Sequence, residues 1–102
     1  MYVIEMVSYN IKPDVNDILF LQLSSDFETS LKREISGFIR RSVTKSFNER
    51  KCIELIWWKS IKDATIALEK MPLTNEFKKF CEILEDENSE IIYLKEMKSI
   101  IL

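Results

Sequence analysis

Two rhythms of apolar and polar residues run along this chain. From Tyr2 to Ile11 the residues are mostly β-branched or aromatic, which predicts a strand. Both of its parities, Tyr2-Ile4-Met6-Ser8 and Val3-Glu5-Val7-Tyr9-Ile11, carry apolar side chains. A strand wetted on one side alternates more cleanly, so both faces are expected to be covered. Lys12-Pro13-Asp14 stops this strand: Pro13 has no N–H for a ladder, and Asp14 can cap a helix. From about Val15 to Ile35 the period changes. Phe20, Leu23, Phe27, Leu31 and Ile35 recur at helical spacing, with Ser24, Asp26, Glu28 and Lys32 mostly off the stripe. Ser36-Gly37 ends the helix, with Gly37 suited to a left-handed C-cap.

The second half reads as a hairpin, a broken helix and a last strand. Phe38–Phe47 predicts a strand with Ile39, Val43 and Phe47 on one face and Phe38, Arg40, Ser42 and Thr44 on the other. Asn48-Glu49-Arg50-Lys51 is a turn, and Cys52–Trp58 completes a hairpin with faces Cys52-Glu54-Ile56-Trp58 and Ile53-Leu55-Trp57. Ser60 and Asp63 are placed to satisfy the first turn of a short helix that runs to about Lys70, where Met71-Pro72-Leu73 breaks it. Thr74 caps a second piece, whose apolar stripe is Phe77, Phe80, Cys81 and Leu84. Glu85-Asp86-Glu87-Asn88-Ser89 reads as a solvated loop, and Glu90 to about Met97 as the last strand.

The order β-α-β-β-α-β predicts an α+β, ferredoxin-like unit occupying residues 1–102 as one domain. Its helices cover one sheet face. Val3, Val7, Ile53, Leu55 and Trp57 are assigned to the other, and a chain of this length has no second layer left to cover them. A second copy is the simplest cover, which makes the expected assembly a homodimer. The apolar end Ile100-Ile101-Leu102 either lies against that partner or frays as a terminus.

Composition narrows the chemistry. The 102 residues are 46% hydrophobic and 31% charged, a globular balance. A net charge of -2 argues against a phosphate-backbone binder. The basic cluster Arg40, Arg41, Lys45, Arg50 and Lys51 reads as a solvated hairpin, and the third strand carries none of the basic residues of an RNA-reading strand, so no nucleic acid is expected. No apolar run is long enough for a bilayer, and Tyr2-Val3-Ile4-Glu5 does not resemble a secretory leader. Cys52 and Cys81 form no CxxC pair and read as reduced core thiols of a cytoplasmic protein. The absence of histidine removes imidazole acid–base chemistry and most transition-metal sites; the single glycine removes phosphate-cradling loops. Neither a metal nor a cofactor is expected.

Glu5, Lys12-Pro13, Gly37-Phe38, and Trp58-Lys59-Ser60 with Asp63-Ala64 resemble, in that order, the antibiotic-biosynthesis-monooxygenase-like family of dimeric α/β barrels. The resemblance implies two ferredoxin-like units whose sheets face each other as a barrel, and a small-molecule pocket between sheet and helices in the enzymatic members. Some members oxidise aromatic polyketides without metal or organic cofactor; others degrade haem. Trp58-Lys59-Ser60 and Phe77-Lys78-Lys79 are similar to the haem-degrading branch, whose first-strand Asn, third-strand Trp and helical His fall at Met6, Trp58 and Cys81 here. Only the tryptophan is kept, and without the histidine that form of haem ligation is excluded.

The candidate site follows. Trp58 either stacks on a flat aromatic ligand or fills core or interface space. Glu54, on an apolar strand face, either is a desolvated proton acceptor or pairs with Arg40 or Arg41 across the hairpin. Glu5 reads as a paired structural carboxylate. Cys81, with Met6, either borders the pocket or is a buried, inert side chain. Two functions are compatible with this: a cofactor-independent monooxygenase-like enzyme acting on a small aromatic molecule, or a non-catalytic module that binds a small apolar ligand or another protein. An open cavity walled by Glu54 and Trp58 favours the first; a fully packed interior favours the second.

Overall fold

The chain, as a computed structural model, is described over residues 2–47 and 50–101. β1 spans Val3–Ile11, α1 Asp17–Glu34, β2 Phe38–Lys45, β3 Lys51–Trp58, α2 Ile61–Lys70, α3 Asn75–Glu82 and β4 Leu84–Leu94; a single 3-10 turn, Met71–Leu73, joins α2 to α3. The sheet is antiparallel throughout, in the order β2-β3-β1-β4. This is the expected ferredoxin-like topology: the β1-α1-β2 crossover leaves a gap one strand wide, and β3 fills it.

The helix starts are set by side chains. Asn16, rather than Asp14, caps α1, its side-chain oxygen accepting the Leu19 N–H at 2.8 Å. Ser60 caps α2: its hydroxyl accepts the Asp63 N–H at 3.2 Å and donates to the Asp63 carboxylate at 2.7 Å. Thr74 caps α3 by accepting the Phe77 N–H at 3.2 Å. Gly37 does not form the expected left-handed cap, since no glycine has positive φ. It is required by contact: a Cβ there would stand 2.0 Å from the Asp63 carboxyl carbon. Because the Ser60 hydroxyl anchors that carboxylate, it is not free to swing away.

Three departures from the pattern matter for the site. The register of β2 on β3 shifts between Phe38 and Arg40, so Phe38 lies opposite Trp58 while Arg40 lies opposite Trp57 and Arg41 opposite Ile56. The extra residue moves Arg41 and Val43 onto the face of Phe38 and turns Arg40 to the other side, contrary to strict alternation. The acidic stretch expected as a loop belongs to β4, which begins at Leu84 directly after α3, pairs Leu84 with Ile11 and Glu85 with Asn10, and resumes at Glu90 opposite Ser8. β4 then stops at Leu94 rather than near Met97. Finally, Val3 and Val7 lie opposite Trp58 and Glu54, so they share the helix-covered face and not the face of Ile53, Leu55 and Trp57.

The core sits between that face and the helices. Tyr9, Ile11, Cys52, Ile56 and Trp58 meet Phe20, Phe27, Leu31, Ala64, Ala67 and Phe80. The buried stripe of α1 is wider than its apolar residues, because Ser24 and Ser30 are buried too; Ser30 donates to the Phe27 carbonyl at 2.6 Å. On the opposite sheet face Ile4, Met6, Leu55 and Trp57 are half-buried, and Ile53, Ile92 and Leu94 are exposed. The tail beyond β4 carries further exposed apolar residues, Met97, Ile100 and Ile101. No helix among the described residues is long and apolar enough to cross a membrane.

Candidate functional site

A cavity of about 220 Å³ lies between the helix-covered sheet face and the helices. Its floor is built from alternate residues of β1 and β3, Glu5, Val7 and Tyr9 beside Glu54, Ile56 and Trp58. Phe27 and Leu31 of α1, Ala67 of α2, and Phe77, Phe80 and Cys81 of α3 form the roof. Leu68, Pro72 and Ser89 also border it and are exposed, which places the mouth between the α2–α3 junction and β4.

Two carboxylates reach this floor with different partners. Glu54 is nearly sealed and fully engaged. Arg41 Nε donates to its Oε1 at 2.7 Å, and the Tyr9 hydroxyl donates to its Oε2. Arg41 is itself buried, with 1% of its side chain exposed; Nη1 donates to the Ser24 carbonyl at 2.8 Å, and the guanidinium lies 5.1 Å above the Phe27 ring. Burial keeps the Tyr9 phenol protonated far above its ordinary range, and the Glu54 charge and hydrogen bond add to that.

Glu5 is different. It is 8% exposed, and its partner is the Trp58 indole, whose Nε1–H donates to Oε1 at 2.9 Å. No cation among the described residues is within ion-pair distance of it. Burial pushes its carboxyl above the usual range; the indole hydrogen bond opposes this, and the negative Glu54 adds to it. A carboxyl raised in this way holds a proton more readily than an exposed one, which makes it a candidate for proton transfer.

Of the residues singled out in the sequence, Glu54, Trp58 and Cys81 meet at the cavity wall. Met6 does not: it lies opposite Leu55 and Ile92, on the other side of the sheet. Glu54 is paired with Arg41, as one of its two readings expected, whereas Arg40 stands 4.5 Å over the Trp57 ring on the outer face. Sequence reasoning passed over Glu5 as a site residue. The missed signal was parity: antiparallel pairing puts Glu5 opposite Ile56 and next to Trp58 on the inner face. Tyr9 was likewise passed over. Cys52 is fully buried, its thiol pushed up to about 11 chiefly by desolvation and then by Glu54; neither it nor Cys81 forms a disulfide. Among the described residues no group of acidic, cysteine or histidine side chains is arranged to hold a metal.

No protein-family model matches the sequence, and no curated protein matches it. Solved structures match the fold throughout. SnoaB, a cofactor-independent oxygenase from Streptomyces nogalater, superposes with a TM-score of 0.79 at 11% identity, over 97% of this chain and 96% of that one. A monooxygenase from the gene ActVA-Orf6 of Streptomyces coelicolor, in complex with nanaomycin D, gives 0.76 at 12% identity, over 98% and 91%. A conserved protein from Methanosarcina mazei Go1 gives 0.67 at 19% identity, over 94% and 93%. The chain therefore shares the fold of these proteins; at these identities the likeness speaks for architecture alone.

Proposed function

We propose that this chain works as a homodimer that takes a small aromatic molecule into the cavity and transfers a proton to or from it through Glu5, in cofactor-independent, monooxygenase-like chemistry. One observation carries the reading: a buried carboxyl with a raised proton affinity and no cationic partner faces an apolar cavity. Withdrawing a proton from a phenol or an activated carbon makes the aromatic ring electron-rich enough to react with dioxygen directly; the ring itself is oxidised to a quinone, one oxygen atom becoming its new carbonyl and the other leaving as water. Trp58 and Phe80 supply flat surfaces against which such a ring can lie. Glu54 is a poorer base, since both of its oxygens already accept hydrogen bonds; its part is to fix Tyr9 and Arg41. The likeness in fold to SnoaB and to the nanaomycin-bound monooxygenase supports the same class of chemistry. The uncovered outer face, from Ile53 to Leu94, supports the pairing of two copies through their sheets.

Oxygen uptake with a panel of one- and two-ring phenols tests this. Wild type is expected to consume oxygen with at least one of them, and Glu5→Gln to lose roughly 100-fold or more of that rate, the scale of a general base. Uptake that survives in Glu5→Gln rules out Glu5 as the base. Ligand binding by wild type with no uptake on any member leaves a binding module instead of an enzyme.

A further inference from the structure

The hydrogen-bonding inventory of the cavity is lopsided. The indole N–H of Trp58 is committed to Glu5 at 2.9 Å, and the Tyr9 hydroxyl is committed to Glu54. The nearest guanidinium, Arg41, gives Nε to Glu54 and Nη1 to the Ser24 carbonyl; its Nη2 is buried without a partner among the described residues, but the side chain does not line the cavity. The Cys81 thiol is a weak donor at most. Apart from the exposed Ser89 hydroxyl at the mouth, what the wall has left to offer a ligand is acceptor capacity, on the second oxygen of Glu5 and the lone pairs of Tyr9. The surrounding ring faces of Phe27, Phe77 and Phe80 are themselves partly negative.

We infer that Glu5 determines specificity here: the cavity selects aromatic ligands that present a hydroxyl or ammonium hydrogen to Glu5, and it rejects ligands of the same shape that carry a carboxylate. This rests on the small-molecule reading above and sharpens it. A donor group completes the hydrogen bonding of a buried carboxylate that otherwise has one partner. A ligand carboxylate beside Glu5 brings a second negative charge against it, and no cation among the described residues lines the cavity to meet it. Protonating Glu5 does not reverse the preference, since an anion would then gain one donor and still lack a counter-charge.

Size sets the probe. An apolar cavity of about 150 Å³ holds benzene, so one of about 220 Å³ suits a two-ring aromatic. Naphthalene, 2-naphthol, 2-naphthylmethylamine and 2-naphthoate are titrated by calorimetry at pH 7.5 into wild type, Glu5→Gln and Glu5→Asp. In wild type, naphthol or the amine is expected to bind roughly 10- to 100-fold more tightly than naphthoate, the range for a hydrogen bond to a charged group. The naphthol and amine arms separate a neutral donor from a cationic one. In Glu5→Gln the preference over naphthoate is expected to collapse to within about threefold, and in Glu5→Asp to persist. A wild type that binds naphthoate as tightly as both naphthol and the amine overturns the inference, as does an undiminished preference in a folded Glu5→Gln. If naphthalene and naphthoate bind as well as naphthol, the cavity reading survives and only the selectivity fails. If no member of the panel binds, both fall.

Discussion

Arg41→Met removes the one cation that neutralises Glu54 and leaves the rest of the site in place. The pair is almost sealed, with 1% and 3% of the two side chains exposed and 2.7 Å between Nε and Oε1. Breaking a buried pair from one side costs roughly 3–5 kcal/mol, because the remaining charge stays desolvated. The second carboxylate near Arg41, Glu28, lies 3.7 Å away and is 35% exposed, so it adds little. Methionine keeps apolar bulk over Phe27 and forfeits the cation–π contact, which adds about 0.5–2 kcal/mol. For a chain of 102 residues each kcal/mol moves Tm by about 4–8 °C, so the fall should be roughly 12 °C or more. The assay is urea unfolding followed by circular dichroism, at fixed protein concentration because association shifts the midpoint. Adding Glu54→Gln should restore part of the loss: it removes the stranded charge and still offers Tyr9 an acceptor. A cost below about 1 kcal/mol for Arg41→Met, or a double variant less stable than the single one, refutes the assignment of Glu54 as a structural partner and reopens its claim to be the base.

Two further outcomes are expected. The folded state raises the carboxyl pKa of Glu5 above its ordinary value of 4.5, so the native chain binds more protons there than the unfolded one, and stability falls as pH rises from about that value through the folded pKa; Glu5→Gln should lack this slope, and parallel stability–pH curves for the two proteins would contradict the raised proton affinity. Sedimentation equilibrium should give wild type twice the 12.1 kDa chain mass and shift Leu55→Lys toward the single chain; a wild type that runs as one chain removes the sheet-to-sheet pairing.

The fold was legible because its main signals are local and redundant. The switch from strand to helical period after Pro13, the Ser60 and Thr74 caps, and the Pro72 break each name an element boundary without help from the rest of the chain. What escaped depended on pairing. The bulge at the start of β2 has no marker in Phe38-Ile39-Arg40-Arg41, and one extra residue exchanges the faces of every residue before it relative to those after it. The Glu85–Ser89 stretch reads as a loop by composition, yet it is held within β4 because Leu84 and Glu85 lie alongside Ile11 and Asn10, and Glu90 alongside Ser8. The site was half legible for the same reason. Glu54 and Trp58 share a strand and hence a face, so they could be grouped from sequence alone. Glu5 joins them only once the register of β1 on β3 is known.

That register also explains why the two glutamates of one floor behave so differently. The bulge turns Arg41 inward opposite Ile56, diagonal to Glu54 on the adjacent strand, within reach of a guanidinium. Glu5 sits one strand further on, across β3, and β2 is then roughly 10 Å from it. Its other neighbour, β4, presents Tyr93 opposite it and no cation. A cation on an edge strand can neutralise the next strand but not the one beyond. The sheet order β2-β3-β1-β4 therefore leaves the carboxylate of the inner strand β1 as the uncompensated one, at the place where the helices fail to fill the space above it. With strict alternation in β2, Arg40 would point inward with Ser42 and Thr44, and Val43 would leave the core-facing side of the sheet. The inserted residue thus decides which of the two arginines, Arg40 or Arg41, faces Glu54, while the distance across β3 leaves Glu5 without a cation in either case.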